Sequence, residues 1–199
     1  MSAKENPKHT QIVTTAHSLF MKHGIHRVSV EEICQEAGVS KMTFYKHFKN
    51  KIELAKYIIN KIITEAENKY KDLMARDIPY SEKVKLMIQL KMEGTKNLSR
   101  EFMTEISRNA DPEISDLYNS KAQEMFQALM QDFIQAQKKG EVREDIKPEF
   151  ILYFLNHMID LANDPQLINL YESAPDLIIE LTNFYFYGIM PREEANEKK

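Results

Sequence analysis

Apolar residues recur along most of this chain at the spacing of an α-helix, with no strand-like alternation of useful length and no internal repeat. From Lys8 to His23, Ile12, Val13, Ala16, Leu19 and Phe20 make one stripe that stops at Gly24, a residue suited to a C-terminal cap. A long helix follows from Lys51 to about Met74, with apolar pairs at Leu54/Ala55, Ile58/Ile59 and Ile62/Ile63, then Ala66, Tyr70 and Leu73. Asp77 to Tyr80, with Pro79, breaks the pattern before helices at about 81–98 and 100–109. Asp111-Pro112 supplies a capping side chain and a proline for the first helical position, and opens a helix to about Lys139, ahead of Gly140. Pro148 opens another through about Ala162, which Asp164-Pro165 closes. The last helix, from near Pro175 to Gly188, is apolar on most sides and needs cover on both faces. In so small a chain, a second subunit is the expected cover. The pattern predicts an all-α protein.

The stretch between the first two of these helices is denser in signals. Ser29 with Glu32 makes a capping box for a helix ending near Ala37, where Gly38 can turn the chain. Ser40 then caps a second helix, about Lys41 to His47, and Asn50 with Glu53 repeats the pattern for a third. Two short helices across a Gly-containing turn make a helix-turn-helix, whose second helix can enter a major groove. At about 100° per residue, Phe44 and Phe48 fall inward. Met42 and Lys46 then point outward, with Thr43 and Tyr45 on the shoulders. That helix carries no carboxylate, and Lys41, Lys46, Lys49, Lys51 and His47 crowd the same neighbourhood. A basic surface suits a polyanion, because neutralised phosphates release condensed counterions.

The run GVSKMTFYKHFKNKIEL resembles the signature of TetR-type transcriptional regulators. Gly38, Val39, Ser40, Tyr45, His47, Phe48, Lys51 and Leu54 all fit at the family's spacing, as do Ser29, Ile33 and Ala37 upstream. Met42 stands where the family often has a small residue, and Cys34 where Ala is commoner. The resemblance covers roughly residues 8–60. It implies a helix-turn-helix DNA-binding domain at 8–60 (motif about 29–48), preceded by a polar arm at 1–7. A helical ligand-binding and dimerisation domain at 61–190 and a charged tail at 191–199 would follow. By the same resemblance the chain is expected to be a sequence-specific regulator of double-stranded DNA, more often a repressor than an activator, released by a small ligand; a two-fold dimer would make its operator palindromic. Thr43, Tyr45, His47 and Lys51 match positions that meet DNA in the family, and face geometry adds Met42 and Lys46. Lys41, Tyr45, His47 and Lys51 are expected on phosphates, Met42, Thr43 and Lys46 on base edges, and Ser29 on a phosphate through its cap.

Beyond the motif the expectations are coarser. The resemblance implies a cavity in the body. Its candidate lining residues are Met87, Met92, Phe102, Met103, Tyr118, Met125 and Phe126, an adaptable apolar set suited to a lipophilic molecule. Residues of these kinds at helical spacing also make ordinary core. Phe184, Phe186 and Tyr187 are the candidate anchors of a homodimer built on the last two long helices. The helix from Lys51 to Met74 is the expected mechanical link between head and body.

Charge and composition sharpen this picture. Residues 1–60 hold nine Lys or Arg against five Asp or Glu, and the remainder eighteen against twenty-five. A basic head on an acidic body is expected if only the head touches nucleic acid. The start MSAKENPKHT is too polar for a signal peptide, and no apolar run approaches the ~20 residues of a membrane span. With a single cysteine, a cytoplasmic location and no membrane partner are expected. An enzyme finds little support: there is no phosphate loop, nucleophile elbow or HExxH, and Cys34 faces inward. His157, Asp160 and Asp164 could share a helical face, where a polar stripe is the better reading than a cation site. No cofactor or metal is expected. The alternatives carried are a helical protein-interaction module and a constitutive DNA binder without a ligand switch.

Overall fold

The computed structural model describes residues 6–95, 99–107, 111–162, 164–171 and 174–189. Among them are ten helices and no strand: α1 (Pro7–His23), α2 (Val30–Glu36), α3 (Lys41–His47), α4 (Lys51–Met74), α5 (Tyr80–Thr95), α6 (Arg100–Ser107), α7 (Pro112–Lys138), α8 (Pro148–Ala162), α9 (Pro165–Ile168) and α10 (Ala174–Ile189). They form two compact units, Met1–Glu67 with Asn97–Glu124 and Asn68–Lys96 with Met125–Lys199. Helices α4 and α7 each contribute residues to both.

In the first unit the helix ends lie where side chains satisfy them. Asn6 Oδ1 accepts from Lys8 N at 3.0 Å, so α1 begins at the Asn-Pro pair, one residue before the apolar pattern suggested. Both bonds of the Ser29–Glu32 capping box form, at 3.1 and 3.4 Å. Ser40 Oγ accepts from Thr43 N at 3.1 Å, and Gly38 turns the chain at φ 62°. Asn50 Oδ1 accepts from Glu53 N at 2.7 Å, while the Glu53 carboxylate reaches Lys49 N at 2.6 Å, one residue earlier than a standard capping box.

These caps frame one core. Ile12, Ala16, Phe20, Ile33, Phe44, Leu54 and Ala55 are wholly enclosed. Helix α6 adds Phe102 and Ile106 and α7 adds Ile114, so this core draws on residues far outside 8–60. Each large apolar side chain buried here contributes roughly 1.5–3 kcal/mol. Cys34 lies in the same core, and burial pushes its thiol above the usual range.

The second unit packs Tyr80 and Val84 of α5, Phe133 and Ala136 of α7, Ile151 and Met158 of α8, and Tyr185 and Ile189 of α10. Tyr185 stacks on Phe154 with ring centroids 6.0 Å apart. Gln137 donates to the Arg143 and Ile146 carbonyls at 3.0 and 2.8 Å, fixing the connection between α7 and α8. The Asp164-Pro165 pair, expected only to close α8, also opens the short α9: Asp164 Oδ1 accepts from Gln166 N at 2.7 Å. Most of the arm and all of the charged tail fall outside the described residues. No helix among the described residues is long and apolar enough to cross a membrane.

Two outcomes follow from this packing. Phe44→Ala leaves a cavity in the first core and is expected to cost about 3–5 kcal/mol. Helical circular dichroism during urea unfolding reads the loss, and a cost below ~1 kcal/mol would contradict the packing. The Cys34 thiol is expected to resist alkylation in the folded chain and to react fully once urea unfolds it.

Candidate nucleic-acid interface

The outward face of α3 is set by what its inward face must bury. Phe44 is fully enclosed and Phe48 nearly so, their rings 6.1 Å apart. That fixes the rotation of a seven-residue helix and turns Met42 and Tyr45 outward, 72% and 55% exposed. Lys46 is exposed beside them, and Thr43 is half-buried with Oγ1 3.0 Å from Ser40 Oγ. His47 meets the edge of His9, ring centroids 5.5 Å apart, and His9 stacks on Phe48 at 5.2 Å. Tyr57 of α4 meets the edge of His9, also at 5.2 Å. The end of α3 is thus braced by α1 and α4. Ser29 is exposed, its hydroxyl engaged by the Glu32 amide.

Two of the cations expected here have partners that a single-helix reading omits. Lys41 pairs with Glu31 of α2, and that bond holds the Glu31 carboxyl below its usual range and the Lys41 ammonium above its own. A carboxylate therefore stands beside the start of α3. Lys51 donates to the carbonyls of His26 at 3.1 Å and Val28 at 2.8 Å. Burial pushes its ammonium down, opposed by the charge of Glu105.

The candidates for a ligand lining are divided between the two units. Phe102 is 2% exposed in the core of the first unit, and Tyr118 packs against that core with its phenol pushed up by burial. Met87 packs against the core of the second unit, and Met125 and Phe126 are half-buried there. The side chains of Met92 and Met103 lie outside the described residues. A groove of ≈ 200 Å³ between α4 and α5 is lined by Lys69, Asp72, Leu73, Arg76, Leu86, Gln89, Leu90 and Glu93, none of them a candidate. A polar contact absent from the sequence reading lies in the same unit: Tyr70 donates its hydroxyl to Asp132 at 2.5 Å, and burial followed by that bond pushes the phenol up. Its one signal in the sequence is a carboxylate beside the apolar stripe of α7.

Phe184 and Tyr187 of α10 are 72% and 73% exposed, and Phe150 and Tyr153 of α8 are exposed as well. The side chain of Phe186 lies outside the described residues. His157 Nδ1 is 2.8 Å from the Tyr153 carbonyl, Asp164 caps α9, and the Asp160 side chain is not among those described. No cluster of three or more potential metal ligands occurs among the described residues.

Comparison with known proteins bears on the same segment. Residues 12–58 match the bacterial regulatory proteins of the tetR family. The HTH-type transcriptional regulator UidR of Escherichia coli K12 is 28% identical over 148 residues, covering 73% of this chain and 74% of UidR. An HTH-type transcriptional regulator of Staphylococcus aureus USA300 is 39% identical over 59 residues, 30% of this chain and 31% of that protein. Among solved structures, a transcriptional regulator from Saccharomonospora viridis in complex with choline superposes with a TM-score of 0.74 at 21% identity, covering 92% of this chain and 98% of its own. The fatty acid degradation regulator FadR from Bacillus halodurans gives 0.73 at 18% identity, covering 96% and 100%. At these identities the structures establish a shared fold.

The Glu31–Lys41 pair generates a test of the surface field. Glu31→Gln removes a negative charge beside α3 and releases Lys41, so affinity for random duplex DNA is expected to rise by roughly two- to fivefold at low salt. Fluorescence anisotropy measures it; an unchanged or weaker affinity would mean that this face does not meet the polyanion.

Proposed function

The chain belongs to the TetR family of helix-turn-helix transcriptional regulators, and from that premise we propose that it represses transcription as a homodimer on a palindromic operator and leaves it when a small ligand binds. The observation that carries the DNA half of this reading is the face of α3: Phe44 buried, Met42, Tyr45 and Lys46 outward, and no carboxylate in the helix itself. In the proposed complex Met42, Thr43 and Lys46 read base edges. Lys41, Tyr45 and His47 hold phosphates, and Ser29 adds a contact from the start of α2. Lys51, expected on a phosphate, already has two carbonyl acceptors within the head.

The dimer follows from economy of recognition and from exposed apolar surface. One seven-residue helix reads few base pairs, and a two-fold pair of heads with half-sites one helical turn apart, ~34–36 Å, reads twice as many. Phe184 and Tyr187, with Phe150 and Tyr153, offer the apolar surface such an assembly would bury. A two-fold dimer matches a palindromic site.

The ligand half rests on the family and on chemistry in the second unit. Of the candidate lining residues, Met87, Met125 and Phe126 belong to that unit, an apolar and adaptable set suited to a lipophilic molecule. The ligand must favour the DNA-incompetent arrangement, since equal affinity for both arrangements shifts nothing. Coupling of ~1–3 kcal/mol gives a 5–150-fold loss of operator affinity. Helix α4, which like α7 contributes to both units, is the covalent path we assign to the change.

Three measurements address these parts. Thr43→Ala is expected to change preference at one or two base pairs, each worth roughly 1–3 kcal/mol. Equal weakening on every sequence would remove Thr43 from base reading. Phe184→Lys with Tyr187→Lys is expected to yield monomers that no longer protect an operator, against a dimer for the unmodified chain in sedimentation. Apolar compounds that raise the melting temperature are expected to release operator DNA; if none alters stability or affinity, the chain is a constitutive DNA binder.

A further inference from the structure

The turn between α1 and α2, residues 24–28, leads directly into the helix-turn-helix, and two ionic side chains grip its backbone by opposite polarities. Gly24 leaves α1 at φ 80° and ends the helical hydrogen-bonding pattern there. The next two amides are taken by one carboxylate from far along the chain: Glu105 Oε2 accepts from Ile25 N at 2.5 Å and from His26 N at 3.1 Å. On the carbonyl side, Lys51 Nζ takes the His26 and Val28 oxygens. Ile25 and Val28 are buried, so the turn is also anchored by its side chains.

The Glu105 carboxylate also lies close against Gly24: a Cβ at position 24 would stand 2.7 Å from Glu105 Oε1. Its own helix is locked to the head, since Phe102 and Ile106 belong to that core and Ser99 N donates to the Met21 carbonyl at 2.9 Å. The clamp therefore joins α6, α4 and the α1–α2 turn within one compact unit.

We propose that Glu105 and Lys51 are positioning residues for DNA recognition: together they fix turn 24–28, and with it the angle at which α2 and α3 meet the duplex, and neither neutralises a phosphate. The inference rests on the DNA-binding reading above. A charged partner on each polarity of the turn restrains it more firmly than neutral groups would, because charge-assisted hydrogen bonds are about twice as strong. Losing either partner leaves those backbone groups to water, which does not tie the turn to α4 or α6, and lets the turn rotate. The Ser29 cap and α2 start from that turn, and α3 packs on α2. A small rotation there reaches the recognition face without any change in its residues. Partial burial, which pushes the Lys51 ammonium down, agrees with its engagement by the two carbonyls of the turn.

The experiment uses the full chain and a duplex fragment enriched by that chain from its own genome. Affinity is measured by anisotropy across a salt series for the unmodified protein, Glu105→Ala, Glu105→Gln, Lys51→Ala and the double Ala variant, with circular dichroism reporting helix content. Glu105→Ala and Lys51→Ala are each expected to weaken binding roughly ten- to a hundredfold. The slope of log affinity against log salt should stay unchanged, because no phosphate contact is lost. The double variant should lose less than the product of the two single losses, because both act on one turn. Glu105→Gln, which keeps one acceptor oxygen, should lie between the unmodified chain and Glu105→Ala. Should Glu105→Ala fail to fold, Glu105→Gln decides: a folded Gln variant of unmodified affinity overturns the proposal. A salt slope flattened by about one unit in Lys51→Ala would return that residue to a phosphate and also overturn it. If the unmodified chain enriches no fragment, the DNA-binding reading itself fails and takes this inference with it. Unmodified binding with undiminished Glu105 variants defeats the inference alone.

Discussion

A helix of seven residues makes too few internal hydrogen bonds to persist by itself, since isolated helices shorter than ~12–15 residues are marginal in water. Both α2 and α3 have that length, and everything proposed for this chain depends on them. Their existence is therefore a property of the surrounding core. Ile33 and Cys34 from α2 and Phe44 from α3 are enclosed with Ile12, Ala16 and Phe20 of α1 and Leu54 of α4. The caps at Ser29 and Ser40 satisfy the amides that such short helices leave open. Met42, Tyr45 and Lys46 face outward because Phe44 cannot. The outward face of α3 and the core beneath it are one design seen from two sides.

The same density governs the charges. A sum over residues 1–60 describes a basic head, but several of its cations are already engaged. Lys41 pairs with Glu31, Lys51 holds two carbonyls, and Lys56 meets Glu113 of α7 at 2.8 Å. Lys46 and Lys49 stay exposed near the end of α3. Fewer cations are thus open to a polyanion than the charge count implies, and Lys46 and Lys49 are among those that are. Ion pairs as exposed as Lys41–Glu31 add little stability, so their effect on the field outweighs their effect on the fold.

Much of this was legible in the sequence because capping is local. Ser29 with Glu32, Ser40 and Asn50 mark their helices through bonds spanning two or three residues, and the boundaries of α3 and α4 fell where those residues put them. Asp164-Pro165 shows where local grammar is ambiguous. The Asp-Pro pairing that starts a helix at 111–112 stands at 164–165 just after another helix, and there it both follows α8 and starts α9. What stayed illegible is the partner across space. Phe102 stands in the sequence as a candidate lining residue of a ligand cavity, and nothing there shows that it lies in the core that holds the helix-turn-helix. Glu105 reads as one more surface carboxylate until the fold carries it 80 residues back to Ile25. Lys51 looks like a free cation for the same reason. Distance along the chain hides such contacts, and no periodicity reports them.

The central claim is that the surface built around α3 reads a palindromic DNA sequence as a pair. The most direct test incubates the intact chain with fragments of its native genome, sequences those retained, and titrates the best of them against random duplex at two salt concentrations. The account predicts enrichment of fragments sharing a palindrome with half-sites about one helical turn apart. Affinity should fall as salt rises, with the selected site ahead of random duplex at both concentrations. Fragments with no common sequence, or binding that neither prefers them nor responds to salt, would contradict it.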